Sequence, residues 1–151
     1  MKKMMVIVFL ATAFFPIAGF SFVNNVSLSA GEGVIWVNGE ASRTPFNLEL
    51  VPSFSFAIVK IDLGLWMDFE NKTDFMLRPG VRICPPFLYV RGAIPLRLTN
   101  GFDYGFLLGL GKNLLSLGIA SIFIEVDTYF TKEGEFDVVP VEGRIGVEVG
   151  F

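Results

Sequence analysis

Over the last thirteen residues of the chain the side chains alternate in character. Val139, Val141, Ile145, Val147, Val149 and Phe151 are apolar, while Glu142, Arg144, Gly146, Glu148 and Gly150 between them are polar or glycine. Gly143 is the one lapse on the apolar side. A period of two over this length specifies a β-strand with one apolar face and one polar or small face.

The same rule recurs in seven segments upstream. In 117–130, Ile122, Ile124, Val126 and Phe130 alternate with Ser121, Glu125, Asp127 and Tyr129. In 102–111, Phe102, Tyr104, Phe106, Leu108 and Leu110 oppose Asp103, Gly105, Gly109 and Gly111. In 87–98, Leu88, Val90, Ile94, Leu96 and Leu98 oppose Tyr89, Arg91, Ala93 and Arg97. Segment 74–84 sets Phe75, Leu77, Val81 and Ile83 against Arg78, Gly80 and Arg82, and segment 60–70 sets Ile61, Leu63, Leu65, Met67 and Phe69 against Asp62, Gly64, Trp66 and Asp68. Segment 46–57 opposes Phe46, Leu48, Leu50, Phe54 and Phe56 to Asn47, Glu49, Ser53 and Ser55. The first segment, 26–37, opposes Leu28, Ala30, Val34 and Trp36 to Ser27, Ser29, Gly31 and Gly33, with Glu32 on the apolar side. Eight segments of this length match membrane-spanning strands, which need about 9–11 residues and come in even numbers from eight upward.

A soluble barrel would also alternate, so the faces must be assigned. Turned inward, several large apolar side chains per strand would crowd an interior that eight strands barely leave open. Turned outward to lipid, they leave glycine, serine, alanine and charge inside, which fits. Composition agrees: the chain is 52% hydrophobic and 18% charged, against about 25% charged in soluble domains. The expected fold is therefore all-β, a transmembrane antiparallel up-and-down β-barrel of eight strands. Pro52, Pro79 and Pro95 fall inside strands of a sheet with no free edge, so local bulges are expected there. The long uncharged run from Tyr104 to Ile124 imitates a transmembrane helix, but its glycines and central Lys112-Asn113 favour a hairpin.

The N-terminus carries a processing pattern. Lys2 and Lys3 precede an apolar run from Met4 to Phe15, Pro16 breaks it, and Gly19-Phe20-Ser21 is a small-x-small site. Residues 1–21 are expected to be a cleaved signal peptide and residues 22–151 the barrel, exported across a Gram-negative-type envelope to the outer membrane. With both termini periplasmic, outer loops fall near 38–45, 71–73, 99–101 and 131–137, and inner turns near 57–60, 84–87 and 111–117.

The inward charges form the candidate site. Arginine outnumbers lysine within strands, and its planar fork suits carboxylates. Arg78, Arg82, Arg91, Arg97 and Arg144 share a face with Asp62, Asp68, Asp103, Glu125, Asp127, Glu142 and Glu148. Unpaired charges in a narrow lumen are costly, so an interlocking network is expected.

The signal peptide, the eight amphipathic segments and the terminal Gly146-Val147-Glu148-Val149-Gly150-Phe151 together resemble the small outer-membrane barrel class typified by OmpA and OmpX. The resemblance spans 22–151. It implies that Val147, Val149 and Phe151 are the signal read by the barrel assembly machinery. It implies no ligand.

The chain has no histidine, which removes His-based acid–base chemistry and the usual His ligands of zinc. Cys84 is the only cysteine, so no intramolecular disulfide forms. No basic cluster suits nucleic acid, and no cofactor motif is present. The expected function is a structural or membrane-stabilising barrel without enzymatic activity, its partners being outer-membrane lipid and the assembly machinery; the sequence does not set an oligomeric state. The alternative is a narrow, porin-like pore or small-solute transporter with a charged interior. An adhesin is disfavoured by short loops, an enzyme by the missing histidine, and a soluble lipocalin-like carrier by the apolar outer face.

Overall fold

The computed structural model describes residues 23–37, 40–70, 74–99, 103–131 and 139–151. The expected signal peptide, 1–21, lies outside the described residues, as do most of the expected outer loops. The strands are β1 (Asn25–Val37), β2 (Glu40–Arg43), β3 (Asn47–Phe56), β4 (Val59–Asp68), β5 (Asp74–Ile83), β6 (Tyr89–Ala93), β7 (Leu96–Arg97), β8 (Asp103–Leu117), β9 (Ala120–Thr131) and β10 (Val139–Gly150). β6 and β7 are two halves of one stave, and β2 is a short flap on β1, so the wall has eight staves.

Every neighbouring pair is antiparallel, and β10 closes on β1 from Asn25–Gly150 to Trp36–Val139. The ladder can be followed around the wall from Asn25 through Ser53, Asp62, Gly80, Ala93, Leu107 and Tyr129. Tyr129 lies one residue beyond the Thr128–Val141 pair, opposite Pro140, and Pro140 pairs with Ile35. The path thus returns to β1 ten residues further on. A shear of that size tilts eight strands by about 35–45° and leaves a lumen that side chains can fill.

The faces follow the alternation. Leu63, Val126, Ile145 and Val147 point outward and are about half exposed, while Asp62, Glu125, Arg144 and Glu148 beside them in sequence are buried inside. An exposed apolar belt on every stave is untenable in water and normal in lipid. Aromatic residues ring both margins, Trp36, Phe46, Phe69 and Tyr104 near the loops and Phe56, Phe87 and Phe151 near the termini, as membrane barrels carry at their two interfaces. Among the described residues no helix is long and apolar enough to cross a membrane; the chain crosses with strands.

Several expectations are corrected. No bulge forms at the prolines: β5 stays in register through Pro79, and β6 and β7 keep one register on both sides of the Ile94–Pro95 break. The register shift falls instead between Asn113 and Leu115. The third inner turn is not at 111–117, because β8 runs through Lys112-Asn113 to Leu117 and turns at Gly118, whose φ of +61° suits glycine. The run from Tyr104 to Ile124 is a hairpin, as expected. Residues 40–43, within the first expected loop, form β2. Glu32 is on the outer face but near the loop end, where Arg43 of β2 reaches it and also Glu70 at 2.9 Å.

Leu108 sits midway along the outer face of β8. Leu108→Arg is expected to destabilise the folded barrel by about 2–4 kcal/mol, whereas Glu40→Arg on the exposed flap is expected to be neutral. Urea titration of vesicle-inserted protein, read by the unboiled-versus-boiled gel shift, measures both.

Candidate functional site

Inward positions on staves that are not its ladder neighbours converge on Glu49. It sits on β3 between Leu48 and Leu50, which turn to the other face, and its side chain is 0% exposed. Three guanidinium groups from three other strands surround it. Arg91 Nη2 of β6 donates to Glu49 Oε1 at 2.5 Å. Arg78 Nη1 of β5 donates to Oε2 at 3.4 Å, and Arg144 Nη1 of β10 lies 3.5 Å from the same oxygen. One carboxylate thus ties β3 to β5, β6 and β10 across the lumen.

The outer ends of those arginines carry the network on. Arg91 Nη1 donates to Glu125 Oε1 at 3.1 Å, and Arg144 donates to Asp127 at 2.6 Å and to Glu142 at 2.7 Å. Toward the termini, Arg82 donates to Asp62 at 3.1 Å and to Glu148 at 3.2 Å, and Lys60 also pairs with Glu148. Six carboxylates, those of Glu49, Asp62, Glu125, Asp127, Glu142 and Glu148, therefore face five cations, those of Arg78, Arg82, Arg91, Arg144 and Lys60. Near-balance is what makes burial of so many charges tolerable, since an isolated buried ion costs several kcal/mol.

Inward aromatics close the remaining space. The Arg78 guanidinium lies 5.1 Å from the Trp66 ring centroid and 5.6 Å from that of Tyr129, and Arg82 lies 4.9 Å from that of Tyr89. These are cation–π distances, favourable once water is excluded. Glycine supplies the clearance. A Cβ on Gly64 would collide with the Glu49 carboxylate, and one on Gly109 with that of Asp127.

The sequence-derived set divides as follows. Asp62, Arg78, Arg82, Arg91, Glu125, Asp127, Glu142, Arg144 and Glu148 meet in the lumen. Asp68 is inward but accepts the Glu70 amide at 2.8 Å, serving the turn after β4. Arg97 sits apart near the loop end, 3.2 Å from Asp74, with 36% of its side chain exposed. The side chain of Asp103 lies outside the described residues; its backbone pairs with Arg97. Val147 is outward, paired with Leu28 and Ile122, and the Phe151 amide donates to the Asn24 carbonyl with its ring fully outside the wall. Val149 pairs with Val26 and Ala120 at the same end. Glu49 was legible as an inward residue of its strand but not as the hub, because its partners lie 29 to 42 residues away for Arg78 and Arg91. Met76, Leu107 and Phe123 also turn inward against the expectation of a small or charged lining. Among the described residues no group of three or more His, Cys, Asp or Glu is placed to hold a metal ion.

No protein-family model matches the sequence, and no curated protein matches it significantly. Solved structures do match. Neisserial surface protein A (NspA) superposes with a TM-score of 0.62 at 10% identity, covering 84% of this chain and 96% of that one. Ail, the attachment invasion locus protein of Yersinia pestis, gives 0.53 at 13% identity over 85% and 99%. A de novo designed transmembrane β-barrel gives 0.51 at 11% identity over 85% and 97%. At these identities the likeness is one of fold: the chain is a small eight-stranded β-barrel of the outer-membrane type.

Removing the hub carboxylate takes away the ion-pair partner of the buried Arg78 guanidinium and one of the partners of Arg91 and Arg144. Glu49→Ala is expected to cost about 3–5 kcal/mol, the range for breaking a buried ion pair from one side. Arg43→Ala, which removes two exposed ion pairs, should leave the urea midpoint nearly unchanged.

Proposed function

We propose that this chain is an integral outer-membrane protein, termini toward the periplasm, with a structural or membrane-stabilising role and no enzymatic activity. The observation that carries the reading is the cross-lumen ion-pair cluster at Glu49, whose three arginines come from separate staves and are at most 2% exposed. A lumen occupied in this way weighs against a continuous path for solutes, and three turns at the termini end are short. The outward apolar belt and its two aromatic margins support a membrane location. The absence of histidine from the sequence weighs against the usual barrel hydrolase chemistry.

The vesicle-inserted protein is expected to show a gel shift and no discrete current steps in planar bilayers. Steady unitary steps, altered by Arg91→Ala or Arg97→Ala, would replace this reading with that of a narrow pore.

Val147, Val149 and Phe151 serve, in this reading, as the segment recognised by the barrel assembly machinery. Phe151 is 82% exposed at the margin and contributes its amide but little packing, so it is free to be read by another protein. Deleting Phe151 is expected to slow appearance of the heat-modifiable form in cells several-fold while leaving spontaneous refolding into vesicles intact. Equal loss in both settings would mean a purely structural role.

A further inference from the structure

The lipid-facing belt is not smooth. Across β3, β4 and β5, Pro52, Leu63 and Pro79 fall in one row: Pro79 pairs with Leu63, and Pro52 stands opposite Leu63 in the register set by Leu50–Leu65 and Ser53–Asp62. Proline has no N–H to donate, and the β3–β4 ladder has no pair between those two bridges. The two pyrrolidine rings are low. Phe54, Ile61, Leu63 and Val81 stand up around them, each between 38% and 59% exposed. Together they enclose an outward groove of about 640 Å³ that runs toward Val23 at the termini end.

Its place in the belt decides what fills it. Asp62, directly behind, turns into the lumen and is neutralised there by Arg82, so the groove presents no charge to the outside. Lipid tails are as apolar as leucine, and the groove therefore differs from the rest of the wall in shape, not in hydrophobicity. An empty groove would forfeit van der Waals contacts on every lining atom. Only a thin, unbranched, flexible chain can enter from the surrounding bilayer and recover them.

We propose that this groove is a binding site for one acyl chain of a glycerophospholipid from the leaflet on the termini side, held longer than the lipids around the other staves. The site is continuous with the lipid-facing belt and rests on the membrane-spanning reading. The prolines are its makers: they lower the wall at two positions and weaken the ladder between them, while the ion pairs behind keep the barrel closed.

The test uses the barrel folded into vesicles of phosphatidylcholine containing a tracer phosphatidylcholine with a diazirine on one acyl chain. After photolysis, labelled residues are mapped by mass spectrometry. Label on Pro52–Ile61 and Pro79–Val81 is expected to exceed that on Leu108 and Leu110, at comparable depth on β8, by about fivefold, because more contacts hold the chain in place. Ile61→Trp, which fills the groove, should abolish that excess, and Leu110→Trp should not. Even labelling around a barrel that shows its gel shift would overturn the site while leaving the membrane reading intact. Loss of the gel shift itself would overturn both. The wild-type map decides the matter even where Ile61→Trp fails to fold.

Discussion

Eight strands closed with a shear of ten leave a lumen just wide enough for side chains, and in this chain the side chains sent there are charged. The consequence is a strict matching requirement. Each guanidinium in the interior needs a carboxylate within reach, because burial removes it from bulk solvent. Glu49 answers that requirement for Arg78, Arg91 and Arg144 at once, and the rest of the interior is arranged around it. Gly64 and Gly109 leave the room, Trp66 and Tyr129 cover the Arg78 guanidinium, Glu125 takes a second donor of Arg91, and Asp127 and Glu142 take two of Arg144.

Such pairs give little net stability relative to a well-packed apolar filling; their effect here is on register. A slip of one residue on any stave would turn its charges into lipid and its leucines into the lumen. The cross-lumen pairs add a second penalty, since they join strands that are not ladder neighbours. Among the described residues, the ion pairs that tie β3 to β6 and β10 run through Glu49. Closure, register and charge pairing are therefore one constraint seen from three sides. The Pro52–Leu63–Pro79 row can lose ladder pairs without a register shift because the interior holds β3, β4 and β5 in place from behind.

Most of the fold is legible in the sequence for a simple reason: a period of two is a local property, and the belt repeats it on every stave. The C-terminal strand, with five polar or glycine positions set among six apolar ones, fixes both its length and its faces. What is not legible is whatever depends on the height at which two staves meet. Lys112-Asn113 has the composition of a turn, yet Asn113 pairs with Phe123 and the strand runs on to Leu117; only the register of β8 against β9 decides this. The prolines carry a general expectation of bulges, but the ladder breaks at Pro52 and Pro95 without moving the register, and it runs unbroken through Pro79 on the β4 side. Glu49 is an inward residue by alternation, and nothing local distinguishes it from Asp68, which ends up serving a turn.

Arg97 marks the limit of the interior. It shares a face with Arg78, Arg82 and Arg91 by alternation, but it lies on the far side of Pro95, near the loop end, where Asp74 and partial solvent exposure satisfy it. The filled lumen thus extends from the Lys60–Glu148 pair at the termini end to the Arg78–Trp66–Tyr129 stack, and becomes wetter beyond it. In the structural role proposed above, a barrel closed at its middle by paired charges exchanges little through its axis. What distinguishes one lateral surface from another then lies in the relief of the wall, and on this wall the lowest relief is where two prolines flank Leu63.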